Sequence, residues 1–424
     1  MTEQQIADLG RKAANPNRVA WSKVETGFAQ GVLEWRLLED VAFKLQPTWT
    51  QRKRKYRDAW DGLPWTGDST TSTITVNGQF EIDRSWGFVG NRLVVGGEWL
   101  LELDKRGPLG AQPGGNQRRN RRNVGSFYVQ EEWEPWQGVF LSGGVRYDNA
   151  HYREKDRDEP ATSRDHYEQW SPKAALTWRP WEPFSVYFSY NRGIRFPNFD
   201  EIYPVLQGFA VADLVPERST SYEVGAKFRN RQVQAGLAFY SMDVDDEILF
   251  DPSSGGVFGE NRNIDRVRHR GVEASVNYQP WTWLAVYANF TYDDTKIVEY
   301  AADPLAVGKR VPLVPEFRGT VGADFFVPLR WFDVSEIGVN ANIVGPRYMV
   351  NDLRNVGPDL PTYGTVDVHG RIGKKILGQF DLTLFFQIQN IGNEKYSQYA
   401  IQRPVYYPSP GRNFDVGLTV SFER

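Results

Sequence analysis

The sequence predicts an all-β protein, a transmembrane antiparallel up-and-down β-barrel with about 17 strands. Segments of about ten residues that alternate between apolar and polar side chains recur along the 424-residue chain, and their connections alternate between short and long. Tryptophans gather beside the short connections. No apolar run reaches the roughly eighteen residues of a transmembrane helix, so a membrane crossing would have to use strands.

The alternation is clearest in DLTLFFQIQN, residues 381–390. Leu382, Leu384, Phe386 and Ile388 fall on one face of a strand, and the polar residues Asp381, Thr383, Gln387 and Gln389 fall on the other. The same pattern recurs in TITVNGQFEI (73–82), FSVYFSYN (184–191), LAVYANFTY (284–292) and RNFDVGLTVSFER (412–424). Each run has about the length that a tilted strand needs to cross a bilayer. One face of each strand is therefore expected to meet lipid and the other the lumen.

The connections predict which end of the strands faces the outside. Bacterial outer-membrane barrels have short periplasmic turns and long extracellular loops. The short connections fall near 38–40, 84–90, 134–137, 179–183, 229–231, 279–281, 328–331 and 375–379. The long ones fall near 61–68, 105–122, 154–165, 197–216, 249–262, 293–309, 345–362 and 399–409. This regular alternation favours a barrel in the outer membrane of a Gram-negative bacterium.

The tryptophans support a membrane location. An indole is favoured where one end is apolar and the other wet, so a row of them marks a lipid interface. Nine of the 15 lie at or beside short connections: Trp35, Trp86, Trp133, Trp136, Trp178, Trp181, Trp281, Trp283 and Trp331. A soluble all-β protein would instead place tryptophans in mid-strand. The same strand phase predicts charges that face the lumen, at Arg146, Lys173, Glu223, Lys227, Glu273, Arg318, Asp324 and Asp367.

Composition excludes several other classes of protein. Fifty Lys and Arg against 53 Asp and Glu give a net charge of −3, which argues against a nucleic-acid-binding surface. There are no cysteines, and no G-x-S-x-G, P-loop or H-E-x-x-H motif. The sequence therefore predicts neither an enzyme nor a bound cofactor.

The parity of the strands bears on the N-terminus. Counting back from the last strand places residues 1–18 on the long-loop side, whereas single-chain bacterial barrels usually have an even strand number and start from the periplasm. We therefore expect residues 1–18 to be an extracellular loop remnant and residues 19–424 to be one barrel domain that lacks its first strands.

Several motifs resemble TonB-dependent outer-membrane receptors, in the order found in that family. They are NRGIRFPNFDEIYP (191–204), PERSTSYEVGAKFRN (216–230), NRNIDRVRHRGVEASVNYQP (261–280), VPLVPEFRGTVGADF (311–325), IQNIGNEKYSQYA (388–400) and YPSPGRNFDVGLTVSF (407–422). The resemblance implies a barrel of 22 strands around an N-terminal plug that is gripped by the TonB complex. From the strand count we expect this sequence to contain about five strands fewer than that and to lack the plug.

The resemblance also implies a function and a set of partners. The expected function is TonB-dependent uptake of a scarce ligand, most often a ferric siderophore, and the expected neighbours are outer-membrane lipid and lipopolysaccharide around a monomer. A passive porin-like channel is the alternative, and it would need no plug.

Two groups of residues are candidates for ligand binding. Arg118, Arg119, Arg121 and Arg122, in NQRRNRRN, would make a positive mouth that attracts an anionic chelate, or they would contact lipopolysaccharide. Phe199, Tyr203 and Phe209 could pack on a ligand, although packing on a neighbouring loop is favoured.

Metal binding is considered at two places and predicted at neither. His151 and His166 flank the acidic segment REKDRDE, where a solvated charged loop is favoured over a metal site. The acids of MDVDDEI, residues 242–248, lack the spacing of a Ca²⁺ loop and are expected to line a wet rim.

Overall fold

A computed structural model describes residues 21–60, 63–86, 89–107, 118–156, 164–202, 212–254, 259–376, 378–401 and 405–422 of the chain. Eighteen strands form one antiparallel sheet, and two more form a separate hairpin. The strands are β1 Trp21–Gln30, β2 Leu33–Leu38, β3 Val41–Trp60, β4 Leu63–Trp86, β5 Val89–Arg106, β6 Arg118–Trp136, β7 Val139–Asp156, β8 Arg164–Trp181, β9 Phe184–Arg195, β10 Glu217–Arg229, β11 Val233–Asp251, β12 Glu260–Trp281, β13 Leu284–Glu299, β14 Phe317–Phe326, β15 Val334–Val344, β16 Tyr363–Ile376, β17 Phe380–Gln389, β18 Ser397–Ile401, β19 Val405–Pro408 and β20 Asn413–Phe422.

The first two strands form a single crossing with an interruption. Both pair with β3, so that Gln30 lies opposite Thr48 and Leu33 lies opposite Leu45. The ladder breaks opposite Pro47, which has no N–H to donate, and the amide of Gly31 donates to the Pro47 carbonyl at 3.0 Å. Counting β1 and β2 as one crossing, the 18-stranded sheet makes 17 crossings. The predicted up-and-down topology and strand number are confirmed.

Successive strands pair in order along the sheet, from β3 to β17 and then to β20. The outermost strands are β1 with β2 on one side and β20 on the other. Among the residues that the structure describes, no ladder joins β20 to β1 or β2. Phe414, Val416 and Leu418 of β20 are 64–74% exposed, and β1 and β2 are exposed along nearly their whole length. Within the described part of the chain, both edges of the sheet therefore have no pairing partner.

The short connections lie where the sequence predicts them, whereas the strands extend further at the long-connection end. Strands β3 and β4 continue to Trp60 and Leu63, and β6 already begins at Arg118, inside the loop predicted at 105–122. Backbone pairing continues past the bilayer because it depends on the neighbouring strand and not on apolar side chains. The connection predicted at 399–409 contains the β18–β19 hairpin. Residues 1–18 lie outside the described residues.

Large apolar side chains are exposed along the sheet, as a lipid-facing surface requires. Eight of the nine predicted interfacial tryptophans have described side chains, and they are 43–71% exposed. The fully buried residues lie instead near the long connections, as in the cluster formed by Ile264, Val267 and Ile297. No helix among the described residues is long and apolar enough to cross a membrane.

On the other face of the sheet, aromatic rings lie over glycines of the neighbouring strand. The ring of Tyr187 on β9 lies over Gly225 on β10, where an added Cβ would come within 2.6 Å of it. Equivalent pairs are Tyr128 with Gly96, Tyr240 with Gly271, Tyr287 with Gly322 and Phe385 with Gly417. These glycines give the rings room against the backbone of the barrel wall.

Candidate functional site

A cavity of about 680 Å³ lies against the polar face of strands β4–β9. Its basic lining residues are Arg122, Arg146, Lys173, Arg192 and Arg195, and its carboxylates are Glu98 and Asp148. Strand alternation places Glu98 and Arg146 in the lumen, because their sequence neighbours Trp99 and Val145 are exposed apolar residues of the opposite face. The cavity is therefore a polar recess with more positive than negative groups.

Arg146 is neutralised by the two carboxylates of the cavity. Its guanidinium lies 2.9 Å from Glu98 Oε1 on β5 and 2.8 Å from Asp148 Oδ1 on its own strand β7, so the network reaches across the intervening strand β6. Ser126 Oγ donates to Asp148 at 2.6 Å. This network positions Arg146 but leaves it little charge to offer a ligand.

Arg122 is held equally firmly at the outer end of the cavity. It pairs with the carboxylate of Glu102 directly across the ladder between β5 and β6, and it donates to Tyr152 Oη and to the Pro197 carbonyl, each at 3.3 Å. These groups lie beyond the roughly ten residues of each strand that cross the bilayer. Burial raises the pKa of the Glu102 carboxyl, and the Arg122 charge opposes that rise.

Lys173 differs from Arg122, Arg146 and Arg195, each of which pairs with a carboxylate. Its ammonium donates to Gln130 Oε1 at 2.6 Å, and no carboxylate among the described residues pairs with it. Its neighbours along β8 on the opposite face include Trp170 and Leu176, which are exposed, so Lys173 projects into the lumen. The cavity thus contains a positive charge that is available to an anionic ligand.

The connection after β9 is attached to the wall at the mouth of this cavity. It contains the short helix α1 Phe199–Ile202. Arg106 donates to Asp200 at 2.7 Å, and Arg195 donates to Glu201 at 2.9 Å. Tyr152 Oη donates to the Pro197 carbonyl at 2.9 Å. Three strands therefore hold the start of this connection.

The four arginines predicted as a positive mouth do not lie on one face of the sheet. They lie on strand β6, where alternation assigns Arg118 and Arg122 to the lumenal face and Arg119 and Arg121 to the outer face. Arg119 and Arg121 are exposed, and the adjacent Asn123 accepts a hydrogen bond from the indole of Trp99 on that outer face. The predicted loop cluster is thus divided between two surfaces.

Of the three aromatic residues predicted to contact a ligand, the structure describes only Phe199. Phe199 is 5% exposed and packs edge-on against Tyr152, with ring centroids 6.0 Å apart. It therefore anchors α1 to the wall and does not face the cavity. Tyr203 and Phe209 lie outside the described residues.

The acids and histidines considered for metals have other partners. The rings of His151 and His166 stack with centroids 4.4 Å apart in an exposed position, and the side chains of Asp156, Asp158 and Glu159 lie outside the described residues. Asp243 accepts from Arg268 at 2.6 Å, and Asp245 accepts from Arg266 at 2.9 Å. These acids therefore form cross-strand ion pairs at the rim.

Some cavity residues were missed by the sequence analysis. It placed Arg146 and Lys173 in the lumen but not Glu98, Asp148 and Arg195. The strand phase that identified Arg146 also applies to Asp148, two residues further along β7, so the signal was present. The attachment of Arg195 to α1 depends on the fold of a long connection, which has no periodic pattern.

Comparisons with known proteins agree with this architecture. The sequence profile of the family described as "TonB dependent receptor-like, beta-barrel" matches residues 5–391. An "Uncharacterized TonB-dependent receptor" of Haemophilus influenzae is 26% identical over 187 residues, which are 44% of this chain and 53% of that protein. The alignment thus spans about half of this relative.

Solved structures share the fold at low sequence identity. The ferric preacinetobactin receptor BauA of Acinetobacter baumannii superposes with a TM-score of 0.73 at 16% identity, covering 95% of this chain and 63% of that chain. The ferric-catecholate import receptor Fiu of E. coli K12 gives 0.73 at 16% identity, with 95% and 65% covered. Together with the profile match, which spans most of the sequence, these findings show that the chain belongs to the TonB-dependent receptor-like β-barrel family of outer-membrane proteins.

Proposed function

We propose that this chain forms the barrel wall of a receptor that imports an anionic metal chelate, specifically a ferric siderophore, with energy from the TonB complex. The observation that carries the proposal is the lumenal cavity in which Lys173 has no acidic partner among the described residues. A negatively charged chelate would gain a charge-assisted hydrogen bond there.

The comparisons support the class of ligand. The printed names of BauA and Fiu describe a ferric preacinetobactin receptor and a ferric-catecholate import receptor. Membership of the receptor family also favours active uptake over the passive porin-like channel that the sequence left open. Coupling to TonB would act through a plug domain, as the family resemblance implies.

The outer face suggests how the barrel meets its surroundings. Exposed apolar side chains would contact lipid, and the exposed Arg119 and Arg121 at the outer end of β6 would contact the anionic groups of lipopolysaccharide. Arg118 and Arg122, on the other face of the same strand, would remain at the lumen. We propose that the receptor acts as a monomer.

A binding measurement on the folded chain in detergent micelles tests the ligand class. The probes are ferric complexes of catecholate, hydroxamate and citrate type, titrated at low and physiological salt. We expect at least one to bind more weakly as salt rises, and Lys173→Gln to weaken its binding about tenfold, since one hydrogen bond to a charged group contributes about 1.5–3 kcal/mol.

Lys227→Gln is the matched control. Lys227 also lies on the lumenal face, but its ammonium lies 4.8 Å from the ring centroid of Tyr187 and outside the lining of the cavity. It should bind the chelate as the unmodified chain does. Equal losses in the two variants, or no binding of any of the three chelate types, would refute the proposal.

A further inference from the structure

Three side chains with metal-binding atoms converge at the other side of the barrel wall. They are Asp324 on β14, Glu336 on β15 and His369 on β16, and one ligand atom from each lies within 4.8 Å of the other two. His369 Nε2 is 3.1 Å from Asp324 Oδ1 and 3.8 Å from Glu336 Oε1. Among the described residues this is the one group of three such side chains with that geometry.

The sheet brings these residues together on its lumenal face. Asp324 and His369 are both opposite Gly338 of the strand between them, and Glu336 is two residues before that glycine on the same face. The apolar residues Val321 and Ile337 are exposed on the opposite face. Glu336 lies close to the start of β15 and Asp324 close to the end of β14, which puts the group near the short-turn end of the lumen.

Gly338 leaves the space in which the group meets. A Cβ added there would lie 2.3 Å from Asp324 Oδ1 and 2.4 Å from His369 Nε2, so any side chain at this position would displace both. The ligand atoms of two strands can therefore lie over the backbone of the third. This space has no counterpart in the His269–Glu247 pair on β11 and β12, where one imidazole meets one carboxylate at 2.8 Å.

We propose that Asp324, Glu336 and His369 bind a divalent transition-metal ion of the Zn²⁺ type in the lumen. A tetrahedral ion with bonds of about 2.0–2.2 Å needs ligand atoms roughly 3.3–3.6 Å apart, close to the separations of Nε2 from the two carboxylate oxygens. Two carboxylates and one imidazole are a donor set that such ions accept, with the fourth position left to water.

The second oxygen of Glu336 is already positioned by a neighbour. Arg371 donates to Glu336 Oε2 from Nε at 2.9 Å and lies 2.7 Å from it through Nη2, so that Oε1 is directed toward His369. Hydrogen bonds of this kind orient carboxylate ligands in metal sites. The three side chains are 11–31% exposed, so an ion can reach them from the water of the lumen.

Titration of the folded full-length chain with Zn²⁺ and Co²⁺, in detergent micelles and without any chelate, tests the proposal. We expect one ion per chain, and for Co²⁺ a visible absorption spectrum of four- or five-coordinate geometry with nitrogen and oxygen ligands. Asp324→Asn keeps the side-chain shape and His369→Gln keeps a polar side chain of similar length, and each should weaken binding at least about tenfold. Gly338→Ala should weaken it too, although it removes no ligand atom.

His269→Gln is the control, because it removes an imidazole that has a single carboxylate partner. It should leave the affinity and the Co²⁺ spectrum unchanged. Heat-modifiable gel mobility identifies variants that fold. Folded Asp324→Asn and His369→Gln chains that bind Zn²⁺ like the unmodified chain would overturn the proposal, as would loss of binding in His269→Gln or no binding in the unmodified chain. Chelate binding at Lys173 is measured separately and does not affect this result.

Discussion

The ring of Tyr187 lies against the backbone of Gly225 on the adjacent strand, in a space that a single Cβ would fill. The hydroxyl of Tyr187 donates to Glu223, two residues along the same strand as the glycine. Tyr187 thus joins β9 to β10 by packing and by a side-chain hydrogen bond, in addition to the backbone hydrogen bonds between the two strands.

Replacing this glycine should destabilise the barrel. Gly225→Val would force the Tyr187 ring away from the wall, and overpacking of this kind costs about 1–3 kcal/mol. The measurement is the temperature at which heat-modifiable mobility is lost. Gly143→Ala on β7 is the control, because nothing lies within 4 Å of a Cβ at that position. An equal shift in both variants would show that the close approach is unimportant.

Removal of the Arg122 charge should destabilise the mouth of the barrel. Arg122→Met leaves Glu102 buried without its partner, which costs about 3 kcal/mol at neutral pH. Hydrogen exchange of the amides at the outer ends of β5 and β6 measures the effect. It should become smaller as the pH falls, because burial raises the pKa of Glu102 and the neutral acid needs no counter-charge. Arg121→Met, on the exposed outer face, should leave exchange unchanged.

A charge on the lipid face should be costly where the same charge in the lumen is tolerated. Val321 is 59% exposed in the middle of β14, and Thr320 beside it donates to Asn342 on the lumenal side. Val321→Arg should lower the free energy of unfolding in lipid vesicles by about 2–4 kcal/mol. Thr320→Arg should cost much less, and the reverse order would contradict the assignment of faces.

The connection after β11 should respond to pH at both extremes. Burial opposes ionisation of Asp251, but hydrogen bonds from Ser253 and Tyr300 outweigh it and lower the pKa of Asp251. Burial and the Asp251 contact raise the pKa of Tyr300. The stabilisation from Asp251 is present above its ordinary pKa of about 4 and is lost as pH falls through the lowered value. That from Tyr300 is present below about 10 and is lost as pH rises through the raised value.

Protease resistance of this connection across the pH range measures the effect. Asp251→Asn should abolish the acid-side change, and Tyr300→Phe should abolish the alkaline one. Ser254→Ala is a control for the segment, because Ser254 Oγ donates to the backbone carbonyl of Asp251 and not to its carboxylate. A pH response that persists in both Asp251→Asn and Tyr300→Phe would assign it to other groups.

The sequence predicted the short-turn end of the barrel well and the long-connection end poorly. At Trp136 and Trp181 the apolar alternation stops abruptly beside a two-residue turn, and the predicted turns coincide with those in the structure. At Arg118 the strand starts in a polar run that has no alternation, so the pattern could not show it.

The candidate site was harder to predict than the faces of the strands. Arg122 meets Glu102 because of the register between β5 and β6, and these strands are joined by a long connection that does not determine register. The proposed metal-binding group depends on the pairing of three strands and on the space left by the missing side chain of Gly338. An apolar–polar pattern does not reveal such a space. The sequence of one strand is enough to assign its side chains to a face. Contacts between side chains of different strands depend also on how those strands pair.

The attachments of α1 differ in their sensitivity to ionic strength. Asp200 and Arg195 are largely exposed, so their ion pairs are screened by salt, whereas the Tyr152 hydrogen bond to Pro197 and the buried ring of Phe199 are not. At low ionic strength the start of this connection would be held at the cavity mouth by these ion pairs as well as by the hydrogen bond and the buried ring. At high ionic strength the Tyr152 hydrogen bond and the buried Phe199 ring would remain the firmest attachments of α1 to the barrel wall.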